Sequence, residues 1–479
     1  MPPGQQVVLG ADVWLKILCF CSAADIVEMS KTCIALAAIC ENPQIWYHAL
    51  IQISYAKRLP NLFFRIQSMS ARVLKEKALT SVHLDEIWGH RSIKPMKTYQ
   101  LGVANVRNVL ILPGGDWIFL LGSNRSAGEL QLFEADIEKP DRRFRFVESE
   151  WAWTDARLFV SSRHDNLVLV RSYVSQAEVL GVYHMVTENR LPSIELKLTM
   201  TLQPQPNGCT AMGDYIAYGW IESSGEPSIE RHFVRIMKLD SDYRSVVEQS
   251  TMEVQLKSGQ QKHHSYAMRL STSASPRIIV AGTAQIALYD VPEFLPPSEV
   301  SERVLVSPVW QFDCSRMSPR AVHLVPDGPI IILYADRCLI IEPYFDLESP
   351  HPTYVGTYTV PLSLERLLIL GPHRAFWDRG QGRLASCALP TPCQPYDEDE
   401  VISGYFKVEG QIQTQRVVLP LAWDSSDDDG GVIRMAWDEE SGRLCVLVKG
   451  EKECQMGVSL IISDMYHPSS MNDLYSDTA

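Results

Sequence analysis

The sequence predicts a two-part chain, a small all-α domain followed by a much larger all-β domain. Three observations carry this. Apolar residues recur at helical spacing over the first ninety residues. From about residue 101 they alternate or run in short blocks rich in Val, Ile, Tyr and Trp, separated by Gly, Pro, Asn and Asp. That second text then repeats seven times.

The helical text begins with "ADVWLKILCFC". Val13, Ile17 and Phe20 fall on one face, and Trp14, Leu18 and Cys21 on the adjacent one. A short helix apolar on so many sides needs cover on two of them. "SAAD" follows, with Ser22 three residues ahead of Asp25 as in a capping box. Ile26, Met29, Cys33 and Leu36 continue at helical spacing and read as one second helix. In "ENPQIWYHAL", Asn42 is an N-cap and Pro43 takes the first helical position, where a missing N–H costs nothing. Pro43 thus starts a third helix, with Ile45, Trp46 and Leu50 on its apolar side. "ARVLKEKALTSVHLDEIWG" extends the helical text to about Gly89. Helices this short are not stable alone and must pack on something.

The β-text falls into seven units that begin near residues 109, 156, 210, 266, 321, 366 and 432. Each reads as strand, Gly- or Pro-marked turn, strand, turn, strand. All-β repeats of about 40–50 residues are what β-propeller blades produce. A propeller of about seven blades is therefore expected, ahead of one large sandwich or several small ones. Trp377-Asp378, Trp423-Asp424 and Trp437-Asp438 are Trp-Asp pairs, but no Gly-His precedes them at WD-repeat distance, so the propeller is a degenerate one. The predicted organisation is 1–53 helical domain, 54–100 helical linker, 101–465 β-domain and 466–479 C-terminal tail.

The 479 residues are 46% hydrophobic and 21% charged, an ordinary globular balance. The net charge of −13 is uneven. Lys and Arg lead Asp and Glu by 11 to 7 over residues 1–100 and trail them by 33 to 50 beyond. The acidic bulk argues against general nucleic-acid binding, which needs a positive surface. The change of sign argues for two modules with different partners. The 11 cysteines show no CxxC pair and no zinc spacing, so reduced thiols are expected. No apolar run approaches the ~20 residues that span a bilayer, and the first residues lack a basic stretch before an apolar core. The expected setting is cytoplasmic or nuclear, with no membrane partner.

The first fifty residues resemble the F-box. "LGADVWLKILCFCSAADI" supplies Leu9, Asp12, Val13, Leu15, Ile17, Leu18, Asp25 and Ile26 in the register of that motif. "NPQIWYHAL" supplies Asn42, Pro43, Ile45, Trp46 and Leu50, also in register. Gly10, Cys21, Thr32 and Leu36 depart from the usual proline, leucine, valine and tryptophan. The resemblance implies that Leu9, Val13, Leu15, Ile17, Leu18, Asp25, Ile26, Met29, Pro43, Ile45, Trp46 and Leu50 serve docking on a Skp1-type adaptor. It further implies membership of a Skp1–cullin–F-box ubiquitin ligase, with the C-terminal domain capturing a protein substrate. The other reading is a non-ligase scaffold whose F-box-like helices pack on its own β-domain.

Catalysis finds no support in the sequence. There is no G-x-S-x-G elbow, no P-loop and no G-x-G-x-x-G after a strand. "DSSDDDGG", set as a calcium loop from Ser425, puts Ala436 where a bidentate Glu is required, so it reads as an exposed acidic turn. His263 and His264 read as a loop pair. Neither cofactor nor metal is expected. "DRRFRF" gathers Arg142, Arg143 and Arg145, which could read an acidic or phosphorylated peptide. The plainer reading is a half-buried strand with solvated arginines.

Overall fold

The computed structural model describes residues 9–465 except 58, 60, 61, 63–65, 105, 124–127, 136–142, 150–151, 161–165, 175–176, 187–192, 203, 205, 224–229, 257–264, 270–275, 283–284, 300–302, 315–320, 325–329, 335–336, 344–351, 360–366, 371–373, 379–382, 390–405, 412–413, 420–431 and 450–456.

Among the described residues five α-helices come first: α1 (Ala11–Leu18), α2 (Ala23–Ser30), α3 (Ile34–Cys40), α4 (Pro43–Ala56) and α5 (Ala71–Trp88), with a 3₁₀ turn at Ile66–Ser68. Local chemistry sets their starts. The Ser22 hydroxyl accepts the Asp25 N–H, and the Asp25 carboxylate accepts the Ser22 N–H, closing the expected capping box. Removing it with Ser22→Ala should cost about 1 kcal/mol, read as earlier thermal unfolding of the helical unit alone. Asn42 Oδ1 accepts the Gln44 N–H at 2.9 Å, so Pro43 does open a helix. Ser70 Oγ accepts the Val73 N–H at the head of α5.

The segment from Ile26 to Leu36 is two helices where the sequence reading expects one, which makes the Pro43 helix the fourth. The Thr32 hydroxyl donates to the Met29 carbonyl at 2.8 Å, and the Lys31 N–H to the Glu28 carbonyl, closing α2. Cys33 is then fully extended, and its sulfur accepts the Leu36 N–H as the cap of α3. Helical spacing survives this break, so periodicity alone could not reveal it.

The described strands form seven small sheets. The first holds β3 (Val106–Ile111), β4 (Trp117–Ser123), β5 (Gly128–Glu134) and β6 (Arg143–Ser149). The second holds β7 (Ala152–Val160), β8 (Asn166–Val174), β9 (Ala177–Val186) and β10 (Ser193–Leu202). The third holds β11 (Gly208–Met212), β12 (Tyr215–Ser223), β13 (Glu230–Leu239), β14 (Val246–Val254) and the added β18 (Val304–Val306). The fourth holds β15 (Ser265–Arg269), β16 (Arg277–Ala281), β17 (Gln285–Asp290) and β19 (Trp310–Asp313). The fifth holds β20 (Ala321–Leu324), β21 (Ile330–Leu333), β22 (Arg337–Pro343), β23 (Pro352–Thr359) and the added β27 (Phe406–Gln411). The sixth holds β24 (Leu367–Leu370), β25 (Arg374–Asp378), β26 (Arg383–Ala388), β28 (Thr414–Val418) and the added β1 (Ser92–Ile93). The seventh joins β29 (Val432–Asp438), β30 (Arg443–Lys449) and β31 (Gly457–Asp464) to β2 (Lys97–Ala104), which returns from the start of the β-part to pair antiparallel with β31.

Pairing within the sheets is antiparallel, apart from the three added strands, which lie parallel to their neighbours. The seven sequence units correspond to the first three strands of the seven sheets. The fourth strands fall outside the three-strand units: β14, β23 and β28 lie inside their sheets beside the added strands, and β6, β10, β19 and β2 lie at a sheet edge. β10, for example, has only Leu202 fully buried, while Ile194, Leu198 and Met200 are half-buried and alternate with polar residues. Strands also begin at Ser92, before residue 101, because β1 and β2 complete sheets built from the far end of the chain.

The core lies between consecutive sheets. Sheets one and two share Phe119, Leu132, Val168 and Tyr183, and sheets two and three share Leu169, Val182, Trp220 and Phe233. Equivalent clusters join three to four, four to five, five to six and six to seven. A further cluster joins the seventh sheet to the first through Leu447, Ile462, Val109 and Leu120. Each sheet thus buries both faces against its neighbours, which removes apolar area from water on both sides.

The nine described cysteines are free thiols, six of them buried. Among the described residues no helix is long and apolar enough to cross a membrane.

Candidate functional site

The helical unit has a complete core of its own. Leu18, Ile26, Cys40, Ile45, Trp46, Ala49, Leu50, Leu74 and Ala78 are buried together, drawn from all five helices. Trp46 is 2% exposed, and its Nε1–H donates to the Cys40 carbonyl at 2.7 Å. That bond satisfies both the indole and one of the carbonyls left over at the end of α3. Lys75 lies 5.7 Å from the Trp46 ring and pairs with Glu41 at 2.5 Å. The tryptophan is therefore a structural centre and presents no surface of its own.

The twelve residues expected to serve adaptor docking divide accordingly. Leu18, Ile26, Ile45, Trp46 and Leu50 are core; Leu15 and Met29 are half-buried against it. Leu9, Val13, Ile17, Asp25 and Pro43 are exposed. Val13 and Ile17 sit on the outer face of α1, and Phe20 follows just past its end, 85% exposed. Ile34, at the first turn of α3, is 91% exposed. Because α1 and α3 touch, these apolar residues sit on neighbouring elements. Phe20 and Ile34 were missed as candidate contacts, since spacing alone assigns an apolar residue to a core. The available signal was that α1 is apolar on more sides than one small core can cover.

α5 ties this unit to the sheets. Its first half packs with α2 and α4, while Leu84 and Trp88 at its other end enter the core shared by sheets six and seven. Lys57, just past α4, is buried; it reaches Asp85 at 2.7 Å and donates to the Ser81 carbonyl at 3.1 Å. A helix of 18 residues spans about 27 Å, so one continuous rod serves both cores.

Three of the four cysteines of the helical unit are at least partly covered. Burial pushes the thiols of Cys19, Cys21 and Cys40 above their ordinary value, which disfavours the reactive thiolate. Among the described residues no group of three or more His, Cys, Asp or Glu could hold a metal ion. His263, His264 and the acidic stretch from Asp424 lie outside the described residues, as does Arg142. Arg143 and Arg145 lie in β6, where they pair with Phe133 and Gln131 of β5, so that segment is a strand. No family model matches the chain, and no match is found among curated proteins.

Proposed function

We propose that the chain is the substrate-recognition adaptor subunit of a Skp1–cullin–F-box ubiquitin ligase. The helical unit docks on a Skp1-type adaptor through Val13, Ile17, Phe20 and Ile34, and the β-part binds a protein substrate. The observation that carries this is a small helical unit with its own core filled and large apolar side chains still facing water. Apolar side chains gathered on an exposed surface mark partner sites. The register of Leu9–Ile26 with Asn42–Leu50 supplies the class of partner.

The seven sheets are read as a seven-bladed β-propeller. Seven shared cores for seven sheets, the last returning to the first, support this reading. So does the pairing of β2 with β31, which would close the ring with strands from both ends of the β-part. Ubiquitin chemistry would lie in other subunits, so the chain itself is not an enzyme in this account.

The scaffold alternative has one observation in its favour, the seating of α5 on the sheets. Phe20 and Ile34 speak against it, because helices folded back onto the sheets would cover them. The two readings separate in one experiment. Full-length protein mixed with a Skp1-type adaptor should elute from gel filtration as a stoichiometric complex. Phe20→Asp combined with Ile34→Asp should weaken that complex at least a hundredfold, as loss of two hot-spot side chains does, with the melting temperature unchanged. No complex with the wild-type protein overturns the ligase reading.

A further inference from the structure

The seam between α5 and the sheets gathers charges on the turn that joins β29 to β30. Lys77 of α5 meets Glu440 at 2.6 Å, and both side chains are largely buried. Glu439 holds Arg374 at 2.9 Å and accepts the Trp437 indole N–H at 2.6 Å. The Arg374 guanidinium lies 4.2 Å from the centre of the Trp88 ring, at the end of α5. Gly442 has φ +68°, and a Cβ there would come within 2.3 Å of the Leu84 side chain, so helix and turn are in direct contact.

Asp438 sits at the centre of this seam. Its carboxylate accepts the Ser441 N–H at 2.9 Å. It is half-buried and keeps some solvent access, flanked by the buried Glu439 and Glu440. The charged and titratable groups around it come from every neighbouring element. Its own turn supplies Glu439 and Glu440, α5 supplies Lys77, and β25 supplies Arg374. β30 supplies Arg443 and Cys445, and β31 supplies Asp464, which Arg443 holds through two hydrogen bonds. The backbone of Gly115 closes the site from the first sheet. Arg443 and Arg374 are thus engaged by Asp464 and Glu439, and Glu440 takes Lys77.

We propose that this seam is a proton-operated clamp on α5, in which a proton on Asp438 tightens the seat of the helix on the sheets and its loss loosens that seat. This goes beyond the ligase reading and does not depend on it. The physical reason is that covering Asp438 with α5 strips water from a carboxylate that already faces Glu440. Burial is the largest influence on Asp438 and the charge of Glu440 the next; together they push it up to about 6, while Ser441 and Lys77 offset only part. The sign follows. The seated form holds its proton up to about 6, whereas a freely hydrated Asp loses it near 4. Stability of the seat is therefore greatest at low pH, falls as pH rises between about 4 and about 6, and stays at its lower value above.

The test is hydrogen exchange of residues 71–88 in the full-length protein at pH 5 and pH 7, corrected for the intrinsic pH dependence of exchange. α5 should open about fivefold more often at pH 7, a discount from the tenfold per pH unit of a fully enclosed group. Asp438→Asn should remove that difference and hold α5 tight at both values. Glu440→Gln provides the second arm and should move the midpoint to lower pH. A wild-type protein without the pH dependence overturns the proposal. So does a dependence that persists in Asp438→Asn, or a midpoint unmoved in Glu440→Gln.

Discussion

Trp46→Ala should unfold the helical unit and leave the sheets standing. The indole fills the centre of a core built from short helices, and truncating a buried Trp costs about 3–5 kcal/mol. The Cys40 carbonyl loses its donor as well, at about 1–3 kcal/mol for a buried group left unpaired. A total stability of about 5–15 kcal/mol is ordinary for a whole domain, and helices of 7 to 14 residues have no reserve once their packing is lost. Hydrogen exchange should rise sharply over residues 11–56 while sheets two to five keep their protection. Equal loss in both regions would make Trp46 part of a core shared across the chain. Adaptor binding should vanish along with the fold, so this substitution cannot by itself locate the docking surface. Phe20 and Ile34, which touch solvent, can.

Trp88→Ala should have its largest effect on the other side of the seam. Trp88 is buried, meets Trp437 edge-on at 5.3 Å and Phe376 at 5.9 Å, and lies beneath Arg374. Losing the side chain opens a cavity between sheets six and seven, again at about 3–5 kcal/mol. It also strips the cation–π partner from a buried guanidinium. Denaturant unfolding should show the sheet transition at lower concentration with an unchanged slope. Proteolysis between 89 and 97 should accelerate as α5 loses its seat. A shift under about 1 kcal/mol would mean that α5 merely rests on the sheets.

The fold was legible in the sequence wherever local chemistry decides it. Ser22 with Asp25 and Asn42 with Pro43 announce helix starts because caps act within three residues of themselves. The inner strands of all seven sheets were readable because both of their faces are buried, which forces runs such as Ile330–Leu333 and Arg277–Ala281. The outer strand β10 does alternate, with apolar residues at every second position from Ile194 to Leu202, but it stands beyond the three-strand unit. The partnership of β2 with β31 spans the whole β-part and leaves no local trace. At the candidate site the limit is similar. Periodicity identifies an apolar side chain but not whether its own fold covers it. Val13, Ile17 and Phe20 share a face in the sequence pattern, whereas only the structure shows all three left open to solvent. Trp46 carries the motif most visibly and turns out to point inward.

The most direct test compares hydrogen exchange of the full-length chain alone and mixed with a saturating Skp1-type adaptor. Added protection should concentrate on residues 11–20 and 34–40, the stretches that carry Val13, Ile17, Phe20 and Ile34, with sheets one to seven unchanged. No new protection in those stretches, or protection confined to the sheets, would contradict the account.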